Sequence, residues 1–290
     1  MKIKQDWHIH SEHSCDDACL KMEDLVTEAG SLGIENYGVS DHLHTYYNLP
    51  DIENSRMNYD AIIAGNPGLK EKFRFGLEIS CVSEWELNRI LKGDYTGKPV
   101  YGIRRGGPSN TRPAIAIDDE YVKKMGFDYV IGGVHWPLYC ELNEDAVIKD
   151  YHRQCMFLIT HKNIDILAHY LWWNKGAYDN LENPFLDFGN VPVSMKNELF
   201  SALKENGCAF EINLAAMLLS PVCTKKFLQD YLEYAVEIQS GGVQLSIGSD
   251  CHLQHLTNID FEKCSLMIEA AGIDLNRNMF NVDQKKGKNT

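Results

Sequence analysis

Short apolar or β-branched stretches alternate along this chain with segments whose apolar residues recur at helical spacing. Seven stretches predict buried strands, at residues 3–9, 37–40, 73–79, 129–134, 164–168, 209–212 and 244–248. Helices are predicted between them over residues 22–32, 146–161, 195–205 and 227–240, and Gly33, Gly207 and Gly241 follow three of these helices as stop signals. Strands separated by helices are typical of βαβ units in a mostly parallel sheet.

Seven such units without a linker-like stretch predict a single α/β domain over residues 1–290, folded as a closed or nearly closed (β/α) barrel. A C-terminal helix and a short tail are expected within residues 256–290. An open doubly wound sheet is the alternative, but residues 102–107 lack the spacing of its nucleotide-binding fingerprint. Two segments, 84–113 and 172–192, break the alternation. They are expected to be loops or hairpins that form the substrate pocket, with an inert surface excursion as the alternative.

Composition and charge narrow the range of partners. The chain is 44% hydrophobic and 24% charged, which is ordinary for a globular protein, and its formal net charge is −13. This charge disfavours nucleic acid and membrane surfaces and favours a small-molecule substrate. Neither a secretory signal nor a membrane-length apolar window is found, so a cytoplasmic protein whose nine cysteines are mostly reduced is expected. Cys15 and Cys19 resemble half a zinc site, but no second cysteine pair follows.

Histidines and carboxylates recur at the ends of the predicted strands. In a parallel barrel all strands end on one face, so these side chains should converge on one cavity. Residues two apart on a strand point to the same side, as expected for His8 with His10, and Asp250 with His252 repeats this spacing. Imidazole with carboxylate suits Zn, Mn or Fe better than Ca or Mg. The candidate metal ligands are His8, His10, Asp16, His42, Glu78, His135, His169, Asp250 and His252.

This set is larger than one ion requires, because a catalytic ion keeps a position open for water. Two or three divalent transition-metal ions are therefore expected. A single histidine at a strand end is more often a hydrogen-bonded structural residue, so the prediction depends on the joint pattern. Asp41, directly before His42, is expected to orient an imidazole without binding metal.

The order of these motifs resembles the PHP family, which is named after polymerases and histidinol phosphatase. The resemblance covers about residues 6–255 and is carried by His8-Ile9-His10-Ser11, Ser14-Cys15-Asp16, Val39-Ser40-Asp41-His42, Gly76-Leu77-Glu78, Gly133-Val134-His135, Leu167-Ala168-His169 and Gly248-Ser249-Asp250-Cys251-His252. It implies a distorted seven-stranded, TIM-like (β/α) barrel of the PHP type, a trinuclear metal centre of Zn, Mn or Fe, and phosphoesterase activity.

The resemblance also implies a division of the ligands among three ions. By position, His8, His10, Glu78 and Asp250 would hold the first ion. Glu78 would bridge to a second ion held with His135 and His169, while Asp16, His42 and His252 would hold the third. His13 and Asp17 are the alternatives to Asp16.

Hydrolysis by a metal-bound hydroxide is the expected chemistry, and His44, two residues beyond His42, is the candidate proton donor to the leaving group. Arg104, Arg105 and Arg112 lie in the segment after Glu78, and we expect Arg105 and Arg112 to bind phosphate. Three tryptophans, Trp136, Trp172 and Trp173, are candidates for an apolar pocket wall, with core packing as the equal alternative. Glu211 and Asn213 are further candidates to line the pocket.

A free-standing barrel of this length resembles the histidinol-phosphate phosphatase group of the family. The expected function is hydrolysis of a small phosphomonoester, with histidinol phosphate as the first candidate substrate. A nucleotide or sugar-phosphate phosphatase and a phosphodiesterase are alternatives within the family. A metal amidohydrolase is disfavoured because no predicted strand ends in a bridging lysine. A non-catalytic metal-binding module is disfavoured because no ligand position is substituted by an inert residue.

Overall fold

Seven parallel strands form a nearly closed barrel in the computed structural model of the chain, which describes residues 2–173 and 183–284. In their order around the barrel they are β1 (Gln5–Ile9), β2 (Asn36–Val39), β4 (Phe73–Ser80), β7 (Tyr129–Gly133), β8 (Ile166–Leu167), β9 (Ala209–Asn213) and β10 (Leu245–Gly248). Beyond the last strand, the Asp250 amide donates to the His8 carbonyl at 2.7 Å, which brings the two edges of the sheet together. The predicted fold class is confirmed.

Three short strands complete the sheets. β3 (His42–Leu43) pairs in parallel with β4, and His42 lies opposite Glu78 in the register. β5 (Val82–Ser83) pairs in antiparallel fashion with β6 (Pro113–Ala114). The second pair closes the long excursion that follows β4, so both ends of that excursion lie beside the C-terminal edge of the barrel.

Eight helices occupy the described ranges. They are α1 (Met22–Leu32), α2 (Leu49–Gly65), α3 (Glu84–Leu91), α4 (Asp119–Met125), α5 (Glu144–Thr160), α6 (Val193–Asn206), α7 (Lys225–Ser240) and α8 (Phe261–Ala270). All four helices predicted between strands are present, and α8 is the expected C-terminal helix. α5 begins earlier than predicted because the Asn143 side chain caps it by accepting from the Ala146 amide. α1 ends where predicted, since Gly33 adopts φ 74°.

The prediction of loop or hairpin over residues 84–113 is wrong for its first part, which is α3. The Ser83 hydroxyl accepts from the Trp85 amide, two glutamates occupy the first helical turn, and Leu87 and Ile90 are buried on one side. α2 was not predicted, because its apolar residues do not form one stripe around the helix. Within the predicted loop 172–192, residues 174–182 lie outside the described part, as does the tail 285–290.

The inside of the barrel is filled at its N-terminal end. The Tyr129 ring crosses it, the Tyr129 hydroxyl donates to the Trp7 carbonyl at 2.6 Å, and Phe280 packs edge-on against Trp7. A Cβ on Gly38 or Gly76 would lie 2.3 Å from the Tyr129 side chain, so glycine is required for the ring to fit. These aromatic rings fill the N-terminal end of the barrel interior. No helix in residues 2–173 or 183–284 is long and apolar enough to cross a membrane.

Candidate metal centre

All nine predicted ligands meet at the C-terminal end of the barrel. His8 and Glu78 lie on strands, and His135, His169 and Asp250 each follow the last residue of a strand by two positions. The rings are in contact across the barrel, with centroids 4.2 Å apart for His10 and His42, and 4.2 Å apart for His10 and His252. The predicted convergence of residues that are far apart in sequence is therefore observed.

Glu78 is the centre of this cluster and is fully buried. Its Oε2 lies 3.0 Å from His8 Nε2 and 2.8 Å from His42 Nδ1. Its Oε1 lies 2.9 Å from His169 Nε2 and 3.3 Å from His135 Nε2. Burial by itself would raise the pKa of Glu78, but the facing imidazoles of His42, His8 and His135 lower it well below its usual range. Glu78 is therefore a carboxylate.

The contacts of Glu78 Oε2 are short but are not hydrogen bonds. Neither Glu78 Oε2 nor His42 Nδ1, which lie 2.8 Å apart, has a hydrogen-bond partner with proper alignment among the described residues. His8 also faces Glu78 Oε2 at a short distance. Its Nδ1 lies 2.6 Å from Glu211 Oε1 and carries the proton of that hydrogen bond. Burial alone would lower the pKa of His8, but Glu78, Glu211 and Asp250 raise it well above its usual range, so that without metal a second ring proton offsets the charge of this carboxylate. A cation bound at Nε2 would take the place of that proton.

Asp16 and Asp250 complete the donor set. Asp16 Oδ2 lies 2.5 Å from His252 Nε2 and 3.2 Å from His42 Nε2. Asp250 Oδ1 lies 3.3 Å from His10 Nε2. The geometry favours Asp16 over its two alternatives, because His13 Nε2 faces Asn58 at 3.2 Å and Asp17 is exposed.

Three overlapping groups of donors have the spacing needed to hold a metal ion, within the part of the chain that the structure describes. They are His10, Asp16, His42 and His252; His8, His10 and Glu78; and His42, Glu78 and His135. These donor sets of imidazole and carboxylate fit divalent transition metals. His10, His42 and Glu78 each belong to two groups, so the ions would be close neighbours. The division of the ligands among three ions differs in detail from these groups and stays a prediction.

A second layer of side chains orients the ligands from behind. Glu211 Oε1 accepts from His8 Nδ1, and its Oε2 accepts from the His169 amide at 2.7 Å and from Asn213 Nδ2 at 3.0 Å. The Asn213 amide also donates to Asp250 Oδ2 at 3.1 Å. Glu211 and Asn213 are fully buried, and neither lines the cavity, contrary to their predicted role. They lie two apart on β9, so both side chains point into the barrel behind the ligands.

Asp41 supports the backbone beside His10. Its carboxylate accepts from the Ser11 amide at 2.6 Å, from the Ser11 hydroxyl at 2.7 Å and from the Ser55 hydroxyl at 2.6 Å. The predicted role of Asp41 in orienting an imidazole directly is therefore wrong. It fixes the turn that follows His10, and so acts on that ligand only through the main chain.

A cavity of about 600 Å³ opens above the cluster. Besides the candidate ligands, its lining includes His44, Tyr101, Trp136, Trp172, Ala215, Ala216, Ser220, Leu253 and Ile259. Trp136 and Trp172 thus form a wall as predicted. Trp173 does not, because it is buried against Tyr151 and Phe185 in the core.

The arginines of the excursion after β4 are placed differently from the expectation. Arg105 and Arg112 are exposed and are not among the residues that line the cavity. Arg104 instead stacks its guanidinium 3.6 Å from the centre of the Trp136 ring. Its amide donates to the buried Glu86, which also accepts from the Tyr139 hydroxyl at 2.5 Å. The role of Arg105 and Arg112 in phosphate binding stays a prediction.

His44 lies at the border between the imidazole cluster and the aromatic wall. Its ring stacks on His42 with centroids 4.5 Å apart and tilts against Trp136 at 5.4 Å. Burial, together with His42 and His135, holds the pKa of His44 well below its usual range. Ser80, whose hydroxyl lies 2.6 Å from His44 Nδ1, was not singled out in the sequence. The signal that could have found it is position, because Ser80 is two residues after Glu78 on β4 and shares its face.

Taken together, fold and site define a parallel barrel protein with a buried cluster of imidazole and carboxylate groups, suited to metal ions, at the C-terminal end of its strands. The PHP domain family model matches residues 6–215 of the 290-residue chain. The chain belongs to the PHP domain family.

Named relatives agree with this membership, and a solved structure shares the fold. A curated protein of Clostridium acetobutylicum, named "probable histidinol-phosphatase", is 25% identical over 256 residues, which cover 79% of this chain and 91% of the relative. A protein of Thermotoga maritima with the same name is 26% identical over 255 residues, which cover 87% of this chain and 85% of the relative. A crystal structure of histidinol phosphate phosphatase from Lactococcus lactis, complexed with Zn, L-histidinol and phosphate, has a TM-score of 0.60 at 20% identity and covers 93% of this chain and 94% of that chain.

Proposed function

We propose that this protein is a metal-dependent phosphomonoesterase and that histidinol phosphate is the first substrate to test. The observation that carries the proposal is the buried Glu78 carboxylate, whose Oε2 faces His8 and His42 nitrogens at short distances without hydrogen-bond alignment and which lies below a cavity with an aromatic wall. Membership in the PHP domain family and relatives named as histidinol phosphatases support this activity. The cytoplasmic location and the lack of a nucleic-acid partner stay predictions from the sequence.

The nine residues at the strand ends would hold three divalent ions of Zn, Mn or Fe. When bound, such ions supply positive charge to phosphate oxygens and lower the pKa of water so that it can attack phosphorus. The protein contributes the positions of the ligands. Glu211 fixes the ring of His8, Asn213 holds the carboxylate of Asp250, and Asp41 fixes the turn after His10.

The cavity fits a small phosphorylated metabolite. Its volume of about 600 Å³ falls in the range of small-molecule sites. With phosphate on the imidazole cluster, the organic part would extend along Tyr101, Trp136 and Trp172. These flat apolar surfaces suit a ring such as imidazole, and they exclude water from the reacting bond.

A substrate panel on the full chain tests the proposal. The panel contains histidinol phosphate, a nucleoside monophosphate, a sugar phosphate, a phosphodiester and an amide, and it is run after chelation and after reconstitution with Zn, Mn or Fe. We expect chelator-sensitive turnover of the phosphomonoesters, fastest for histidinol phosphate, and about three ions per chain by elemental analysis. Turnover of the phosphodiester or the amide alone, or a chain that binds no metal, would contradict the proposal.

Variants of the ligands provide the second test. His8→Ala combined with Glu78→Ala removes donors from each of two groups and is expected to abolish both metal binding at those groups and turnover. His152→Ala is the matched control, because His152 pairs with Glu198 at 2.9 Å on the outside of the barrel. Turnover that survives in the double variant would show that the assignment of the site is wrong.

A further inference from the structure

His44 has one ring nitrogen that is buried and has no partner among the described residues. The side chain lines the cavity and is only 2% exposed. Its Nδ1 lies 2.6 Å from the Ser80 hydroxyl, whereas its Nε2 makes no hydrogen bond to any residue in 2–173 or 183–284. A buried polar nitrogen on a cavity wall is costly unless a bound molecule satisfies it. The position of His44 therefore points to a contact with the ligand of this cavity.

A chain of hydrogen bonds determines which nitrogen of His44 carries a proton. His135 directs Nε2 toward Glu78 Oε1, at 3.3 Å, and Nδ1 toward the Ser80 hydroxyl, at 2.8 Å. With a metal ion at its Nε2, His135 would carry its ring proton on Nδ1 and would donate it to the Ser80 hydroxyl. The single hydroxyl proton of Ser80 is then available for His44 Nδ1.

The consequence for His44 holds in either charge state of its ring. If the ring is neutral, Nδ1 accepts from Ser80 and the one ring proton is on Nε2. If the ring is protonated, both nitrogens carry protons. In each case Nε2 carries a proton for which residues 2–173 and 183–284 offer no acceptor.

The location of this donor indicates which substrate atom it contacts. On one side, His44 stacks on the metal-facing ring of His42, with centroids 4.5 Å apart. On the other side it contacts the rings of Tyr101 at 5.2 Å and Trp136 at 5.4 Å. If phosphate occupies the cluster and the alcohol lies along the aromatic wall, the bridging oxygen lies at the border between them, beside His44.

We propose that His44 is a catalytic residue that donates a hydrogen bond from Nε2 to the ester oxygen of the substrate, and that Ser80 and His135 position it through their hydrogen bonds. This inference rests on the proposed phosphomonoesterase function. The donor stabilises the negative charge that develops on the leaving oxygen as its bond to phosphorus breaks, and the proton released by the attacking water reaches this oxygen through solvent, so that the alcohol leaves neutral. It requires no protonated imidazole, which distinguishes this role from the proton donor expected from the sequence.

Leaving groups of different basicity test the contact. The holoenzymes of the wild type and of His44→Phe, His44→Gln, Ser80→Ala and Ser246→Ala are compared on 4-nitrophenyl phosphate and on histidinol phosphate. Nitrophenolate is a stable leaving group, whereas the alkoxide of histidinol needs stabilisation. Ser246→Ala is the control, because it removes a buried strand hydroxyl that has no partner in the described part of the chain.

The expected pattern differs between the variants. His44→Phe should lower kcat on histidinol phosphate by about 10²- to 10³-fold, as for loss of one transition-state donor, and should lower it much less on 4-nitrophenyl phosphate. His44→Gln keeps an N–H near the Nε2 position and should restore part of the loss. Ser80→Ala frees His44 to place its proton on Nδ1 and should show an intermediate loss with the same dependence on the leaving group. Metal content and inhibition by inorganic phosphate should stay at wild-type values in both His44 variants. Ser80→Ala is assayed at saturating metal, because Ser80 also contacts Nδ1 of the ligand His135.

Three outcomes would overturn the inference. Equal losses on both substrates, with weaker inhibition by inorganic phosphate, would place the donor on a non-bridging oxygen. Full activity of His44→Phe would show that His44 touches no reacting atom. If His44→Phe loses metal, the inference is tested with His44→Gln and Ser80→Ala instead. A fall in kcat that is the same for both leaving groups in these two variants would refute the assignment. A wild-type enzyme that hydrolyses neither phosphomonoester would instead refute the proposed function.

Discussion

Glu211→Gln is expected to weaken metal binding although Glu211 belongs to none of the donor groups. Three donors converge on its two carboxylate oxygens: His8 Nδ1 at 2.6 Å, the His169 amide at 2.7 Å and Asn213 Nδ2 at 3.0 Å. A glutamine offers one oxygen and one NH₂ group. Whichever way the amide is turned, at least one of the three donors then faces another donor.

The expected magnitude follows from the two orientations of the new amide. If its oxygen faces the His169 and Asn213 donors, its NH₂ group faces His8 Nδ1 and favours the His8 tautomer whose proton lies on Nε2, toward the metal position. Loss of such a supporting partner typically costs 10- to 100-fold in metal affinity, or about 1.4 to 2.8 kcal/mol. If its oxygen faces His8, the His169 amide is left unsatisfied in a buried site, at a cost of about 1–3 kcal/mol in folding stability.

Metal affinity and folding stability are therefore measured together on Glu211→Gln. Competition with a chelator gives the affinity of the full chain for Zn or Mn, and urea unfolding of the metal-free protein gives the stability. Glu198→Gln is the matched control, since Glu198 also contacts a histidine, His152 at 2.9 Å, but is 61% exposed. Its effect on both quantities should be small.

The reasoning about Glu211 would be refuted by one result. A Glu211→Gln protein that binds metal as tightly as the wild type and unfolds at the same urea concentration would show that the three hydrogen bonds contribute nothing. A loss of metal affinity in Glu198→Gln of the same size would refute it as well, because the effect would then not be specific to the second layer.

Three further predictions concern packing, pH and the excursion after β4. Gly248→Ala places a Cβ 2.2 Å from Glu211 Oε1 and should destabilise the protein by about 1–3 kcal/mol in urea unfolding, while Gly65→Ala, with no atom within 4 Å, should not. Burial raises the pKa of Asp6 from 3.8 to about 7, so the folded metal-free protein holds a proton that the unfolded chain has released, and stability falls as pH rises between these values. Asp6→Asn should flatten this dependence, and an unchanged slope would contradict it. Arg104→Ala should raise KM for histidinol phosphate more than Arg105→Ala or Arg112→Ala, because only Arg104 stacks on the cavity wall at Trp136, and the reverse order would favour the prediction from the sequence.

Local patterns were sufficient for much of the fold and for the position of the ligands. The alternation of apolar stretches with helical periodicity gave seven strands in the right order, and a parallel barrel must bring all strand ends to one face. Glu78 and His135 could be placed together in this way although they are 57 positions apart. Local patterns failed at α2, whose apolar residues form no single stripe. α3 was missed although its signals are local, namely the Ser83 cap and the buried Leu87 and Ile90 at helical spacing.

The sequence by itself thus determined the barrel, the rim on which the site lies and the identity of the candidate ligands, because strand-end position and side-chain parity are local properties. Only the tertiary structure decided the depth at which each side chain lies. It placed Glu211 behind His8, and it joined Ser80 to both His44 and His135. It also turned Arg104 toward Trp136. The physical reason is that such contacts depend on the register between neighbouring strands and on the path of the connecting segments, and distances of a few ångström across a barrel are not encoded in the spacing of residues along one strand.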